Sequence, residues 1–83
     1  IQDYTIGAVN IEIYPTMTDR VLKIKSNNQV LDYMIYDLNG RLIRNEKLKK
    51  NQQEINISTL SKGVYLITIF TNKGFKTQKF IKK

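Results

Sequence analysis

Apolar and polar residues alternate along most of this chain with the two-residue period of β-strands. Residues 20–25, for example, place Leu22 and Ile24 on one face and two lysines on the other. Turn-forming residues separate the alternating segments at intervals of about ten residues. The pattern predicts seven strands, at residues 10–14, 20–25, 29–38, 41–48, 53–57, 64–70 and 75–82. In the first, third and fifth predicted strands, the side chains expected to face the core are Ile11, Ile13, Leu31, Tyr33, Ile35, Ile55 and Ile57.

The segment from Val64 to Phe70 differs from the others because it is apolar almost throughout, with Thr68 as its one interruption. A short run of β-branched and aromatic residues is typical of a strand with both faces covered. We therefore expect this segment to be the central strand of the fold.

Leu60 and Gly63 precede this strand and Tyr65 lies at its start, which gives the pattern Leu60-x-x-Gly63-x-Tyr65. In immunoglobulin-like sandwiches a tyrosine near the start of the sixth strand turns its hydroxyl back onto upstream backbone. Gly63 would permit the sharp bend that this corner needs, since glycine adopts positive φ at no steric cost. Together with seven predicted strands, the corner predicts an all-β, seven-stranded immunoglobulin-like Greek-key β-sandwich.

The turns between strands carry their own signals. Asn39-Gly40 predicts a hairpin with a type I′ turn, supported by hydrogen bonds from the backbone to the side chain of Asp37. Asn72-Lys73-Gly74 predicts a second hairpin, with Gly74 in the left-handed conformation. Pro15 is expected to end the first strand, and residues 16–19 are expected to form a polar loop.

The chain has the length of one domain, at 83 residues. Residues 1–9 show no sustained period, and the first residue is not methionine. We expect residues 1–9 to be a linker from the end of an upstream region, and residues 10–83 to be the domain. No stretch has the length of a membrane-spanning helix, so the domain is not predicted to span a membrane.

Composition argues against catalysis. The chain has no cysteine and no histidine, so thiolate and imidazole chemistry is excluded. The carboxylates form no convincing acid–base pair, because Asp32 and Asp37 have opposite parity on one predicted strand. We predict that the protein is not an enzyme and uses no metal or other cofactor.

The net charge of +7 is concentrated towards the end of the sequence. No acidic residue follows Glu54, whereas six lysines do: Lys62, Lys73, Lys76, Lys79, Lys82 and Lys83. Such a distribution favours an anionic partner, or else lysines that only solubilise exposed strand edges. Nucleic acid is not predicted as a partner, because Phe75 and Phe80 fall on opposite faces of a strand and cannot form one stacking platform.

Four segments that occur in order along the chain resemble the C-terminal sorting domain of cargo proteins of the type IX secretion (Por secretion) system, type A. The segments are Ile13-Tyr14-Pro15, residues 35–43 around Asn39-Gly40, the corner at residues 60–65, and the ending Gln78-Lys79-Phe80-Ile81-Lys82-Lys83. The resemblance covers roughly residues 11–83. One departure is that Thr16-Met17 follow Tyr14-Pro15, where the family commonly has Asn-Pro.

The resemblance implies an immunoglobulin-like sandwich that acts as a sorting signal. A cargo fused upstream would pass through the periplasm and then cross the outer membrane to the cell surface or the medium. The partners implied are an outer-membrane recognition component of the secretion machinery and a sortase-like peptidase, with cleavage at or before residues 1–10. The expected recognition residues, displayed on the folded sandwich, are Lys79, Phe80, Ile81, Lys82 and Lys83; the expected structural residues are Tyr14, Pro15, Asn39, Gly40, Leu60, Gly63 and Tyr65.

An alternative from another functional class is an accessory carbohydrate-binding or adhesion module of a secreted protein. Such modules usually expose an aromatic platform, often with tryptophan, which this sequence lacks. Its tyrosines are mostly accounted for by the predicted strands and the corner.

Overall fold

The strands of the computed structural model, which describes residues 10–83, form two β-sheets, with no helix in that range. The strands are β1 (Ile11–Tyr14), β2 (Met17–Thr18), β3 (Val21–Ser26), β4 (Val30–Asp37), β5 (Leu42–Lys47), β6 (Glu54–Asn56), β7 (Gly63–Thr71) and β8 (Phe75–Lys82). The small sheet has the order β1-β3-β6, and the large sheet has the order β2-β8-β7-β4-β5. All neighbouring pairs are antiparallel except β2 and β8, which are parallel.

The two sheets pack face to face around one apolar core. The small sheet contributes Leu22 and Ile55, and the large sheet contributes Ile35, Ile67 and Phe80, all nearly inaccessible to solvent. The predicted alternation in residues 20–25 is confirmed, because Leu22 and Ile24 are buried while Lys23 and Lys25 are exposed. The fold is therefore an all-β sandwich.

Residues 10–83 contain eight strands where the sequence predicted seven. The additional strand, β2, lies in the segment predicted to be a loop. It pairs Met17 with Ile81 and Thr18 with Lys82. Two residues are too few to show a period, so the alternation gave no sign of it. Pro15 ends β1 as predicted, and the Tyr14-Pro15 peptide bond is cis.

Strand β7 is central in the large sheet, as predicted, but only one of its faces is fully covered. Tyr65, Ile67 and Ile69 point into the core, whereas Leu66 and Phe70 on the opposite face are half-buried. The expectation of two covered faces was wrong because the small sheet covers a single side of the large sheet.

A bulge in β4 overturns one predicted core position. The register against β7 shifts between Val30 and Asp32, so Val30 is buried and Leu31 is 42% exposed. Tyr33 and Ile35, beyond the bulge, are buried as predicted. A bulge inserts one residue and reverses the alternation before it, which the hydrophobic pattern alone does not reveal.

Both predicted hairpins are present, but their turns differ from the prediction. Of the two residues Asn39 and Gly40, only Gly40 has positive φ, at 85°, so the turn is not type I′. The N–H of Gly40 donates to the carbonyl of Asp37 over 3.1 Å, as in a three-residue loop that ends on a left-handed glycine. Gly74 has a φ of 157°, which is far from the left-handed helical value of about 57°.

Candidate functional site

The end of the chain forms β8, which lies beside the central strand, and its residues point alternately to the two faces of the sheet. Phe80 is 1% exposed and stacks on Tyr65, with ring centroids 5.5 Å apart. Burial of a side chain of this size contributes about 1.5–3 kcal/mol relative to leaving it exposed. Phe80, expected to be a displayed recognition residue, is thus a core residue.

Lys82 points to the same face as Phe80 and is 8% exposed. Its partner across the ladder is Gly63, which has no side chain, and its Nζ donates to the carbonyl oxygen of Lys83 over 3.0 Å. The aliphatic stem is thereby buried while the ammonium group stays paired. Lys82 was also expected to be displayed, and the structure places it largely out of solvent.

The other three predicted recognition residues point away from the core or lie at the end of the chain. Lys79 and Lys83 are exposed, and Ile81 is half-buried. The terminal segment therefore presents two lysines and part of an isoleucine to solvent. The two buried members hold it in place.

The predicted tyrosine corner is present upstream of β7. The hydroxyl of Tyr65, a residue that is 8% exposed, donates to the carbonyl of Ser61 over 2.7 Å. Gly63 has a φ of +155°, a conformation that side chains rarely adopt. Leu60 packs against the core. These residues fix the start of β7, and Tyr65 in turn supports Phe80.

Tyr14 and Pro15 connect the two sheets near β8. β1 belongs to the small sheet and β2 to the large sheet, so the chain changes sheets at these residues. Immediately after them, the carbonyl of Thr16 accepts a hydrogen bond from Ile81 over 2.7 Å, and that of Thr18 accepts one from Lys83 over 2.9 Å. The first motif of the resemblance thus positions the strand that holds the last motif.

Asn39 and Gly40 lie in the β4–β5 turn, far along the sequence from the terminal segment, and their structure depends on Asp37. One carboxylate oxygen of Asp37 accepts hydrogen bonds from the backbone N–H groups of Asn39 and Arg41, each over 2.9 Å. The other oxygen lies 3.2 Å from Nε of Arg41. The hydrogen bond from the backbone N–H of Arg41 is the main cause that lowers the pKa of Asp37 below its ordinary value of 3.8, and the hydrogen bond from the N–H of Asn39 lowers it further. The predicted support of the turn by Asp37 is confirmed.

Sequence reasoning missed two basic side chains that connect the two sheets, at opposite sides of the sandwich. Lys76 of β8 donates to the carbonyl of Ile11 over 3.0 Å. Arg44 of β5 donates to the carbonyl of Asn56 over 2.7 Å and contacts the hydroxyl of Tyr33, which also donates to Glu46. Burial raises the pKa of Tyr33 above 10.0. Residue spacing gave no sign of either bridge, because each links strands distant in sequence.

Two features of residues 10–83 bear on catalysis and on carbohydrate binding. Within residues 10–83 no three acidic, histidine or cysteine side chains are grouped to hold a metal ion. The β3–β4 turn and the β5–β6 loop line an open cavity of about 290 Å³, which has amide side chains such as Asn27 and Gln53 but no aromatic ring. This cavity has no aromatic platform of the kind that carbohydrate-binding modules usually expose.

Comparison with known families gives a clear result. The model of the secretion system C-terminal sorting domain family matches residues 12–83, which is most of the chain. The comparison with curated proteins gives no match. The matched range begins within β1, includes the corner and the β4–β5 hairpin, and extends through β8. By this match over nearly the whole chain, the protein belongs to the family of secretion system C-terminal sorting domains, the sorting signals of the type IX secretion system.

Proposed function

We propose that residues 10–83 are recognised as a folded unit by an outer-membrane component of the type IX secretion machinery, and that Lys79 and Lys83 are central to this recognition. The observation that carries the proposal is the family match over residues 12–83. Sorting domains of this kind direct export across the outer membrane to the cell surface or the medium, and the family is not an enzyme family. A cargo fused upstream passes through the periplasm before recognition.

The immunoglobulin-like Greek-key topology is part of the same proposal. It is supported by the strand orders β1-β3-β6 and β2-β8-β7-β4-β5 and by the hydrogen bond from Tyr65 to Ser61 at the start of the central strand. The sandwich serves as a rigid support that presents the terminal strand at a fixed position.

Removal of the domain by a sortase-like peptidase completes the proposed sequence of events. The cleavage site is expected at or before residues 1–10, in the proposed linker at residues 1–9, which lie outside the described residues. Asn10, the first described residue, is exposed, and proteases cut preferentially in exposed segments.

Side-chain exposure in the structure shows which lysines can be substituted to test this proposal. Deleting the terminal residues would remove Phe80 from the core and unfold the domain. Lys79→Ala/Lys83→Ala removes only exposed side chains, and Lys23→Ala/Lys25→Ala removes two exposed lysines from the small sheet as a matched control.

We expect the Lys79/Lys83 variant of the full-length protein to accumulate in the periplasm with an unchanged melting temperature, while the control reaches the surface normally. Protease accessibility on intact cells measures the exported fraction. Wild-type export of the Lys79/Lys83 variant would show that these lysines only keep the strand soluble.

A further inference from the structure

The large sheet has a second broad face, on the side away from the small sheet, and this face is mainly apolar. We define the outer face by six side chains on four neighbouring strands: Met34 and Tyr36 of β4, Leu42 of β5, Leu66 and Phe70 of β7, and Phe75 of β8. Phe75 is 62% exposed and Leu42 is 46% exposed. The other four are half-buried.

The ladder register places these side chains side by side. Leu66 pairs with Tyr36, which pairs with Leu42, so three apolar or aromatic residues form one row across the sheet. Phe75 pairs with Phe70 at the far end, with ring centroids 5.8 Å apart. At ordinary strand spacings the outer face measures about 15 by 20 Å, or roughly 300 Å². Exposed apolar patches of this size on a monomer are often functional.

Three hydroxyl groups on the outer face are hydrogen-bonded to neighbouring side chains. Between the two rows, the hydroxyls of Thr68 and Thr77 lie 2.8 Å apart and share a hydrogen bond. The hydroxyl of Tyr36 donates to the sulfur of Met34 over 3.3 Å. A partner could therefore cover the centre of the face without leaving these hydroxyls unpaired, which is the main cost of burying polar atoms.

The charged residues that the strand register places on the outer face are two lysines and one carboxylate. Lys79 of β8 is exposed and pairs with Leu66. Lys47 of β5 pairs with Asp32 of β4 at the opposite corner. A face that binds an anionic membrane gathers many lysines, whereas here one of two lysines has a carboxylate beside it. This distribution of charges favours a protein partner over a membrane surface.

We propose that the outer face is a docking surface for a protein partner that presents a flat apolar area with a carboxylate opposite Lys79. The inference rests on the proposed function, which supplies Lys79 as a recognition residue, and it extends the recognition surface from the terminal segment to four strands. Exposed Lys79 and half-buried Ile81, the two members of the terminal segment in β8 that lie outside the core, point to this same face.

The direct test is Phe75→Ser/Leu42→Ser in the full-length protein, in its own host. A matched control is Leu38→Ser, because Leu38 is 62% exposed, as Phe75 is, and lies in the β4–β5 turn outside the outer face. Truncation of an anchor residue commonly weakens the affinity of an interface ten-fold or more. We expect surface delivery of the first variant to fall at least about ten-fold, and that of the control to stay at the wild-type level.

A second variant covers the case in which loss of the Phe75–Phe70 contact lowers the melting temperature. Asn45→Glu places a carboxylate in the row of Met34, where Asn45 is exposed and its side chain makes no hydrogen bond within the described residues. Asn27→Glu, in the exposed β3–β4 turn, is its control. We expect Asn45→Glu to reduce export and Asn27→Glu to leave it unchanged.

Wild-type export of both outer-face variants would overturn the inference. Vesicles of anionic phospholipid that bind the wild type but not the Phe75/Leu42 variant would overturn it in favour of a lipid. A wild-type dimer in sedimentation equilibrium that this variant abolishes would overturn it in favour of a second copy. The outer-face variants keep Lys79 and Lys83, so the two proposals can be tested separately. If the Lys79/Lys83 variant is exported normally and the outer-face variants are not, only the role of the lysines is refuted.

Discussion

Tyr65 is the residue on which the placement of the terminal strand most depends. Its hydroxyl holds the backbone at Ser61, and its ring supports Phe80. One side chain thus connects the corner before the central strand with the buried part of the terminal segment. This explains why the corner and the ending occur together in the resemblance.

We expect Tyr65→Phe to lower the free energy of unfolding by about 1–3 kcal/mol, because the carbonyl of Ser61 loses its hydrogen bond while the ring stack is kept. Denaturant unfolding of the variant and the wild type measures the difference. Tyr36→Phe is a suitable control, since within residues 10–83 the hydroxyl of Tyr36 donates only to the sulfur of Met34, a weak acceptor. A Tyr65→Phe variant as stable as the wild type would contradict the role assigned to the corner.

The Asp37 carboxylate makes the β4–β5 turn sensitive to acid. Because its pKa is lowered in the folded state, its contribution to stability is present above the ordinary, unfolded pKa of 3.8 and is lost as the pH falls through the folded value. We expect Asp37→Asn to reduce the part of the acid-induced fall in melting temperature that occurs below about pH 4. Parallel curves for variant and wild type between pH 6 and pH 2 would count against this contribution.

The β4–β5 hairpin shows how far sequence reasoning reaches at the level of an element. Asn39-Gly40 located the hairpin correctly, because flexible turn residues between two alternating segments are a strong local pattern. The turn type was missed, since it depends on the Asp37 carboxylate accepting two backbone N–H groups at once. Strand β2 and the bulge at Val30 were missed because both arise from pairing with strands distant in sequence.

This turn predicts unequal effects for its two central residues. Gly40→Ala forces an L-residue into a φ of 85° and should cost about 1–2 kcal/mol. Asn39→Ala should cost much less, because Asn39 does not have positive φ. Chemical denaturation of the two single variants compares them. Equal losses would indicate the type I′ turn that the structure excludes.

At the scale of the whole molecule, the fold divides the terminal segment between two tasks. Phe80 and Lys82 are buried and secure β8, while Lys79 and Lys83 remain available to a partner. Alternation along a strand could have predicted this division, but the sequence-based expectation treated the segment as one displayed unit. The β-sandwich followed from the two-residue period and the corner from the spacing of Leu60, Gly63 and Tyr65. The bridges from Lys76 and Arg44 could be seen only in the assembled sheets.

Among the six lysines after Glu54, the structure therefore assigns different surroundings to different members. Lys76 and Lys82 each donate to a backbone carbonyl, whereas Lys62, Lys73, Lys79 and Lys83 are exposed. Net charge alone overstates how many of these groups a partner can meet.

The central claim is that the folded domain is itself sufficient as the sorting signal. The most direct measurement fuses residues 10–83 to the end of a periplasmic reporter in a host with a type IX secretion system, and determines the fraction of reporter that proteases reach on intact cells. We predict that the reporter reaches the surface with residues 10–83 attached and stays in the periplasm without them. A fusion whose domain is shown to be folded but whose reporter remains wholly periplasmic would contradict the claim.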